Sequence, residues 1–143
     1  MTRAEQQPLV TIAIPTYNRA EAYLPQALSS VCAQTYPKLD ILVSDNASAD
    51  GTEAVVASFN DPRIRYHRHK ENVGGPANWD FCIRQARGEY FQLLNDDDLI
   101  DTDFVVSCMA RVGENPDAGL IRTGTRVIDG GGRLIDISPN YVD

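Results

Sequence analysis

Asn95-Asp96-Asp97-Asp98 is the densest run of acid in the chain, and it directly follows the apolar run Tyr90-Phe-Gln-Leu-Leu94. Neighbouring carboxylates repel. Two unit charges ~6 Å apart cost somewhat under 1 kcal/mol in water and several-fold more in a cleft. A divalent cation removes that cost, and a ligand set made only of oxygen favours Mg²⁺ or Mn²⁺ over zinc. The same cation would let an anionic diphosphate approach the carboxylates. The plain alternative is an acid-rich helix start, because Asp96 to Asp103 precede a helical pattern and suit its dipole. The position after a buried strand favours the metal.

Two more segments at strand ends are unusually polar: Pro15-Thr16-Tyr17-Asn18-Arg19 and Asp45-Asn46-Ala47-Ser48-Ala49-Asp50-Gly51. In the second, Asp50-Gly51 invites a calcium-loop reading. It fails, because Ala57 stands where the closing Glu is required. Asn46-Ala47-Ser48 matches a glycosylation sequon, with no other sign of secretion. A turn that aims Asp45 at a hydrogen-bonding ligand edge, with Ser48 or Asp50 capping the next helix, competes with capping alone. His67 and His69 share a strand face as two ligands could, but Arg65, Arg68 and Lys70 around them fit a solvated basic strand better. GxxxxGK[ST] and GxGxxG motifs are absent, as are Ser/His/Asp and Cys/His nucleophile sets.

The elements that must position these loops follow from hydrophobic period. Leu9 to Ile14, Leu39 to Ser44 and Glu89 to Leu94 read as buried strands, and Arg63 to His69 as a half-exposed one. Leu24, Ala27, Leu28, Val31 and Cys32 form a helix stripe, with Pro25 in its first turn. Asp50 to Phe59 predicts a short helix with Val55, Val56 and Phe59 inward. Pro76 to Arg87 predicts another, with Trp79, Cys82, Ile83 and Ala86 on its buried face and Gly88 as its stop. A last helix carries Val105, Cys108, Met109 and Val112, with Thr102 as N-cap and Asn115-Pro116 as its end. Two extended runs split by Gly130-Gly131-Gly132 predict a terminal hairpin. The order βαβαβαβαββ implies an α/β fold: a mostly parallel sheet, helices on both faces, and a ligand edge where the strands end.

Composition narrows the partners. The 143 residues hold 43% hydrophobic and 23% charged side chains, which are globular values. Lys and Arg number 13 against 20 Asp and Glu, a net charge of −7. Such an acidic chain disfavours a nucleic-acid partner. No apolar run approaches the ~20 residues of a membrane span. The N-terminus lacks the apolar region of a signal peptide, which predicts the cytosol or the cytosolic face of a membrane. Cys32, Cys82 and Cys108 fit neither a zinc pattern nor a disulfide framework and read as buried thiols.

Taken in order, Val10-Thr-Ile-Ala-Ile-Pro-Thr-Tyr-Asn-Arg19, Ala27-Leu-Ser-Ser-Val-Cys-Ala-Gln-Thr-Tyr36 and Leu42-Val-Ser-Asp-Asn-Ala-Ser-Ala-Asp-Gly-Thr52 resemble the opening of a family 2 glycosyltransferase. Asn72-Val-Gly74, Ala86-Arg-Gly-Glu-Tyr90 and Leu94-Asn-Asp-Asp-Asp98 continue the pattern. The resemblance covers roughly residues 9–112. It implies a GT-A (Rossmann-like) three-layer sandwich and transfer of a sugar, usually UDP-linked, with inversion. Pro15, Thr16, Tyr17 and Asn18 then resemble the segment that holds the nucleoside, and Asp45 the acid that reads the uracil edge. Asn72 and Gly74 join the donor site. Asn95-Asp96-Asp97 falls on the DxD motif, with Asn95 where Asp is common, Asp96 toward the ribose or diphosphate, and Asp97 and then Asp98 toward Mn²⁺ or Mg²⁺.

The partners implied are a nucleotide-sugar donor and a glycan or lipid-linked acceptor. The family's general base and acceptor site lie further along the chain. Asp129 and Asp136 match a base by type but carry no motif, so the catalytic base is unassigned. Residues 1–143 are expected to form one nucleotide-sugar-binding domain cut before its acceptor part. A sugar nucleotidyltransferase would need a Gly-rich loop where Pro15 to Arg19 stands. A non-catalytic nucleotide-sugar sensor is the alternative from another class.

Overall fold

The computed structural model describes residues 7–138, in two compact units, Met1–Ser107 and Cys108–Asp143. The first is built on a four-stranded parallel sheet of β1 (Val10–Thr16), β2 (Leu39–Asp45), β3 (Ile64–Arg68) and β4 (Tyr90–Leu93). Their order across the sheet is β3-β2-β1-β4. Every residue of β1 and β2 is buried, so both are inner strands covered on two faces, as their unbroken apolar runs require. Three helices link the strands: α1 (Leu24–Cys32), α2 (Thr52–Ser58) and α3 (Gly75–Gln85). Right-handed crossovers put α1 and α2 on one face and return α3 across the other, which gives the three layers expected.

The pleat divides the core between these layers. Ala13 and Leu42 pack with Cys82 of α3, and Leu93 closes that cluster. Ile12, Ile14, Ile41 and Val43 alternate with them and face the side that Leu24, Leu28 and Val31 of α1 cover, all fully buried. Replacing one of these isoleucines by alanine should cost about 2–5 kcal/mol.

Several local expectations need correction. The buried line of α3 is Asn78 and Cys82, whereas Trp79 and Ile83 are 46% and 57% exposed. One helical residue turns the face by about 100°, so an inward amide at 78 turns its apolar neighbour out. Among the thiols, Cys82 is buried, but Cys32 and Cys108 are half-buried. Burial pushes Cys32 and Cys82 up to about 11, so neither is a reactive thiolate. Helix α4 (Phe104–Glu114) is not capped at Thr102, whose carbonyl takes the Thr35 N–H instead. Helix α2 starts at Thr52 rather than Asp50, though Asp50 Oδ1 does take the Thr52 N–H and hydroxyl.

Gly88 is required by close approach. A Cβ there would lie 2.5 Å from Thr11 N and 2.7 Å from Leu9 O. The tight turn lets the N–H groups of Arg87 and Gly88 reach the Thr11 hydroxyl, which itself donates to Asp40. Arg65 closes this buried knot with a two-pronged grip on Asp40 at 2.6 and 2.8 Å.

In the second unit, β5 (Thr125–Ile128) and β6 (Leu134–Ser138) form the expected antiparallel hairpin. Its turn carries Gly132 at φ 80°, and Asp129 Oδ1 accepts the Gly131 and Arg133 N–H groups. Asp129 is therefore a turn residue, and Asp136 gives an oxygen to its neighbour's N–H at Ile137. Neither shows the geometry of a poised base. Among the described residues no helix is long and apolar enough to cross a membrane.

Candidate functional site

The loops after β1 and β2 are sewn to each other at the C-terminal edge of the sheet. The Asn46 N–H meets the Thr16 carbonyl at 2.9 Å. The Asn18 N–H donates to Ser48 Oγ, and Asn18 Oδ1 accepts from the Ala49 N–H. Two residues past Asn18, the Ala20 N–H donates to Asp50 Oδ2. Asn18 and Ala47 sit at φ 54° and 62°, left-handed conformations that Asn tolerates better than Ala. Asn18 thus holds the loops together with both its backbone and its side chain.

Asp45 is 1% exposed and faces inward. Its Oδ1 accepts the Ser48 N–H at 2.8 Å, and its Oδ2 accepts the Tyr66 hydroxyl. Burial, and then the bond to Asp45, raise the Tyr66 phenol above its usual range, so Tyr66 stays a donor. Arg68 Nε stands 3.9 Å from Asp45, and its Nη2 donates to the Ser48 carbonyl. These bonds brace the loop from beneath.

Asn46, which the sequence reading passed over, is 4% exposed and reaches the loop before α3. Its Nδ2 donates to Asn72 Oδ1, and its Oδ1 accepts the Val73 N–H. Asn72 Oδ1 also takes the Gly74 N–H, and Gly74, at φ 84°, turns the chain into α3. Asn72 and Gly74 are therefore built into the same edge. Tyr66 was missed as well, being read only as a strand residue. A polar side chain just past the end of the fully buried β2 was the signal for Asn46; Tyr66, in the middle of the half-exposed β3, carried none.

The histidines are packed, not arranged as ligands. His67 stacks on Phe81 with centroids 4.3 Å apart, and His69 meets the same ring edge-on. His69 Nε2 lies 3.0 Å from Asn78 Oδ1, which also accepts the Ser44 hydroxyl.

The turn after β4 differs from the other loops. The Leu94 N–H bonds the Ala13 carbonyl and fixes where the turn begins. The Asp98 N–H closes on the Asn95 carbonyl, and Asn95 Nδ2 donates to Asp98 Oδ2 at 3.0 Å. Asp98 and Asn95 are thus partly occupied with each other. Asp97 is exposed and makes no hydrogen bond or ion pair among the described residues. Asp96 is half-buried. Burial pushes its carboxyl above the usual range and Asp97 adds repulsion, partly offset by the Thr16 hydroxyl, the Tyr17 N–H and Arg19. Thr16 is buried and its hydroxyl meets no partner at hydrogen-bonding geometry, although it adjoins Asp96 closely enough to favour the carboxylate.

The first and third loops therefore meet at Thr16, Tyr17 and Asp96, and the first and second at Asn18, Asn46 and Ser48. Tyr17 is 46% exposed beside them. Pro15 lies within buried β1 and shapes the strand end rather than facing solvent. Among the described residues no three His, Cys, Asp or Glu side chains converge to hold a metal ion unaided.

The glycosyl transferase family 2 pattern matches residues 11–137. The chain belongs to that family. Chondroitin synthase of Escherichia coli is 31% identical over 94% of this chain and 20% of its own length. The structure of TarS 1-349 of S. aureus in complex with UDP-GlcNAc superposes with a TM-score of 0.71 at 22% identity, covering 84% of this chain and 40% of that one. The mannosyltransferase PcManGT of Pyrobaculum calidifontis, in complex with GDP-Man and Mn²⁺, gives 0.60 at 30% identity over 67% and 29%. These likenesses support the GT-A fold for the four-stranded unit. The chain spans 13–30% of the length of several curated relatives.

Proposed function

We propose that this family 2 chain forms the donor-binding part of an enzyme that moves a sugar from a nucleotide sugar, UDP-linked, to an acceptor hydroxyl with inversion. The observation that carries this reading is the sheet edge itself. Three loops converge there, and of their acids Asp97 alone is both exposed and without a partner among the described residues. TarS and PcManGT, with their bound UDP-GlcNAc and GDP-Man, support a nucleotide-sugar donor. Chondroitin synthase supports a glycan acceptor, and a lipid-linked one keeps the same hydroxyl chemistry.

A divalent cation fits the residues present. Asp97 and Asp96 are hard oxygen donors, Asp96 taking the place expected for Asp98, whose Oδ2 already accepts from Asn95, and the burial that raises the Asp96 carboxyl marks charge that a cation would relieve. Since no three protein ligands converge, two or fewer carboxylates would hold the ion and leave positions for diphosphate oxygens. Mn²⁺ or Mg²⁺ there would stabilise charge on the departing nucleoside diphosphate. The chain's own part is to hold the nucleoside beside Tyr17, set the turn on β4, and keep the edge rigid through Asn18, Asn46 and Asp45. The base that deprotonates the acceptor is not assigned to any residue of this chain.

Calorimetry of UDP, GDP and NAD with and without Mn²⁺ tests the reading. Tighter binding of UDP than of NAD, strengthened by Mn²⁺, is expected. Equal binding of UDP and NAD, or no UDP binding with Mn²⁺, overturns it.

A further inference from the structure

The acidic turn has a well-fixed entrance, where Leu94 bonds Ala13 in the sheet, but its exit has no strand to hold it. Residues 99–103 form no regular element before α4 begins. Their backbone is instead fastened to the C-terminal end of α1. Gln34, 6% exposed, lies two residues past that helix and uses both ends of its amide. Its Nε2 donates to the Asp101 carbonyl at 2.6 Å and to the Ser30 carbonyl at 3.1 Å, an acceptor that the helix end leaves open. Its Oε1 accepts the Val105 N–H at 3.1 Å, in the first turn of α4. Beside it the Thr35 N–H reaches the Thr102 carbonyl at 2.9 Å. The Ile100 N–H meets Ser30 Oγ at 3.4 Å. Gln34 thus binds α1, the exit segment and α4 together.

We propose that Gln34 is a positioning residue for the carboxylates of Asp96 and Asp97. It touches neither, and it lies more than sixty residues away in sequence. By fixing Asp101 and Val105 it sets where the exit of the turn lies, while Leu94 sets the entrance. The turn between them then has little freedom to carry its carboxylates away from a diphosphate and cation. The inference rests on the reading above that the acidic turn meets the donor's diphosphate with a divalent cation. The chemistry explains why a glutamine serves. A site that bridges two carbonyls and one N–H needs two donors and an acceptor on one planar group. Leucine or methionine of similar size would leave the buried Val105 N–H and the half-buried Ser30 carbonyl unpaired, and the Asp101 carbonyl with the Phe104 N–H alone.

Gln34→Met keeps length and removes all three bonds. Two measurements on the variant test the proposal. In the absence of metal and nucleotide, amide exchange at residues 100–105 should quicken about tenfold, since one buried hydrogen bond is worth up to roughly that factor. Exchange at Ile12, Ala13 and Val43 should not change. By calorimetry, the gain in UDP affinity produced by Mn²⁺ should fall about tenfold, because small misplacements of positioned groups cost that much or more. UDP affinity without Mn²⁺ should stay within about twofold, the nucleoside loops being held by Asn18, Asn46 and Asp45.

Should Gln34→Met fail to fold, Gln34→Glu retains the acceptor for Val105, loses both donors and sets a carboxylate against the Asp101 carbonyl. It should give the same pattern. Unchanged exchange at 100–105 in the folded variants overturns the proposal. So does faster exchange with the Mn²⁺ gain intact, which would leave Gln34 a structural tie only. A wild type whose UDP binding ignores Mn²⁺, matched by Asp97→Ala, overturns the reading of the acidic turn itself and the proposal with it, whatever the Gln34 variants do.

Discussion

The loops after β1 and β2 and the turn after β4 end on the same sheet edge, yet they use their polar groups in opposite ways. In the first two, Asn18, Asp45, Asn46 and Ser48 are bonded to one another or to the chain beneath. In the turn, Asp97 bonds nothing described and Asp96 is driven toward its protonated form by burial and by Asp97. Satisfied groups make a rigid cradle, because each bond removed would leave a buried donor or acceptor unpaired. Unsatisfied charge makes a place where a ligand is favoured. A residue's type therefore says little about whether it faces a ligand; the number of its groups already bonded says more.

The contrast can be broken most sharply at Asp97. Asp97→Ala should remove the Mn²⁺-dependent part of UDP binding, a loss beyond the 10–100-fold typical of outer-shell partners. Its unfolding midpoint should match or slightly exceed wild type, since one member of a repelling group is gone. Calorimetry with and without Mn²⁺, beside thermal melting, measures both. Asp98→Ala should do far less, its Oδ2 already holding Asn95. Reversed effects would shift the ligand assignment by one residue.

Asp45 sharpens the other side. Its type and strand-end place suggest a uracil contact, and Asp45→Ala would then cost affinity with the fold unchanged. Its bonds predict a second cost. The substitution strands the Tyr66 hydroxyl and the Ser48 N–H in a buried place, and stability should fall by about 2–4 kcal/mol. Denaturant unfolding of Asp45→Ala and Tyr66→Phe tests this. An unchanged midpoint for Asp45→Ala would show that the carboxylate is free to serve a ligand alone.

This is also where the sequence stopped being informative. The buried strands are legible because β1 and β2 are apolar from end to end, and the ligand edge follows from parallel topology. The acidic turn is legible because three adjacent acids after such a strand are costly without a partner. The choice among those acids is not, since Asp98 is distinguished only by the reach of the Asn95 amide. Asp45's partners are not legible either: Tyr66 comes to it from a neighbouring strand 21 residues on. In α3, Trp79 and Ile83 suggest an inward face because apolar spacing cannot show that Asn78 turns in to bond Ser44.

A smaller effect is expected where the two nucleoside loops are sewn together. Asn18→Gly keeps the left-handed backbone at φ 54° but removes the bond to the Ala49 N–H, at a cost of about 1 kcal/mol. Ser48→Ala removes the acceptor for the Asn18 N–H and should cost a similar amount. The two residues share one seam, so the double variant should lose less than the sum. Strict additivity in denaturant unfolding would show that the loops are held independently.

The smallest effect lies at Asp96 and depends on pH. Its folded carboxyl titrates above the ordinary 3.8, with burial the leading cause, the Thr16 hydroxyl, the Tyr17 N–H and Arg19 opposing it, and repulsion from Asp97 adding least. A raised acid favours the folded state fully below its unfolded value, and that contribution is lost as pH rises through the folded value. Ionised Asp96 therefore weighs against folding at neutral pH, by an amount that partial exposure keeps small. Asp96→Asn keeps the shape and cannot ionise. Its melting midpoint should equal or slightly exceed wild type at pH 7, and the difference should vanish below about pH 4. Cation binding runs the other way, because a proton and a divalent ion compete for the same oxygens. The Mn²⁺-dependent gain in UDP affinity should thus weaken in wild type as pH falls through the raised value, and Asp96→Asn should lose that pH dependence along with part of the gain. A variant that melts lower at pH 7 and keeps the wild-type pH profile would mean that Asp96 is stabilised by Thr16, Tyr17 and Arg19 more than it is strained. The turn would then resemble the two committed loops, and the difference between them would rest on Asp97 alone.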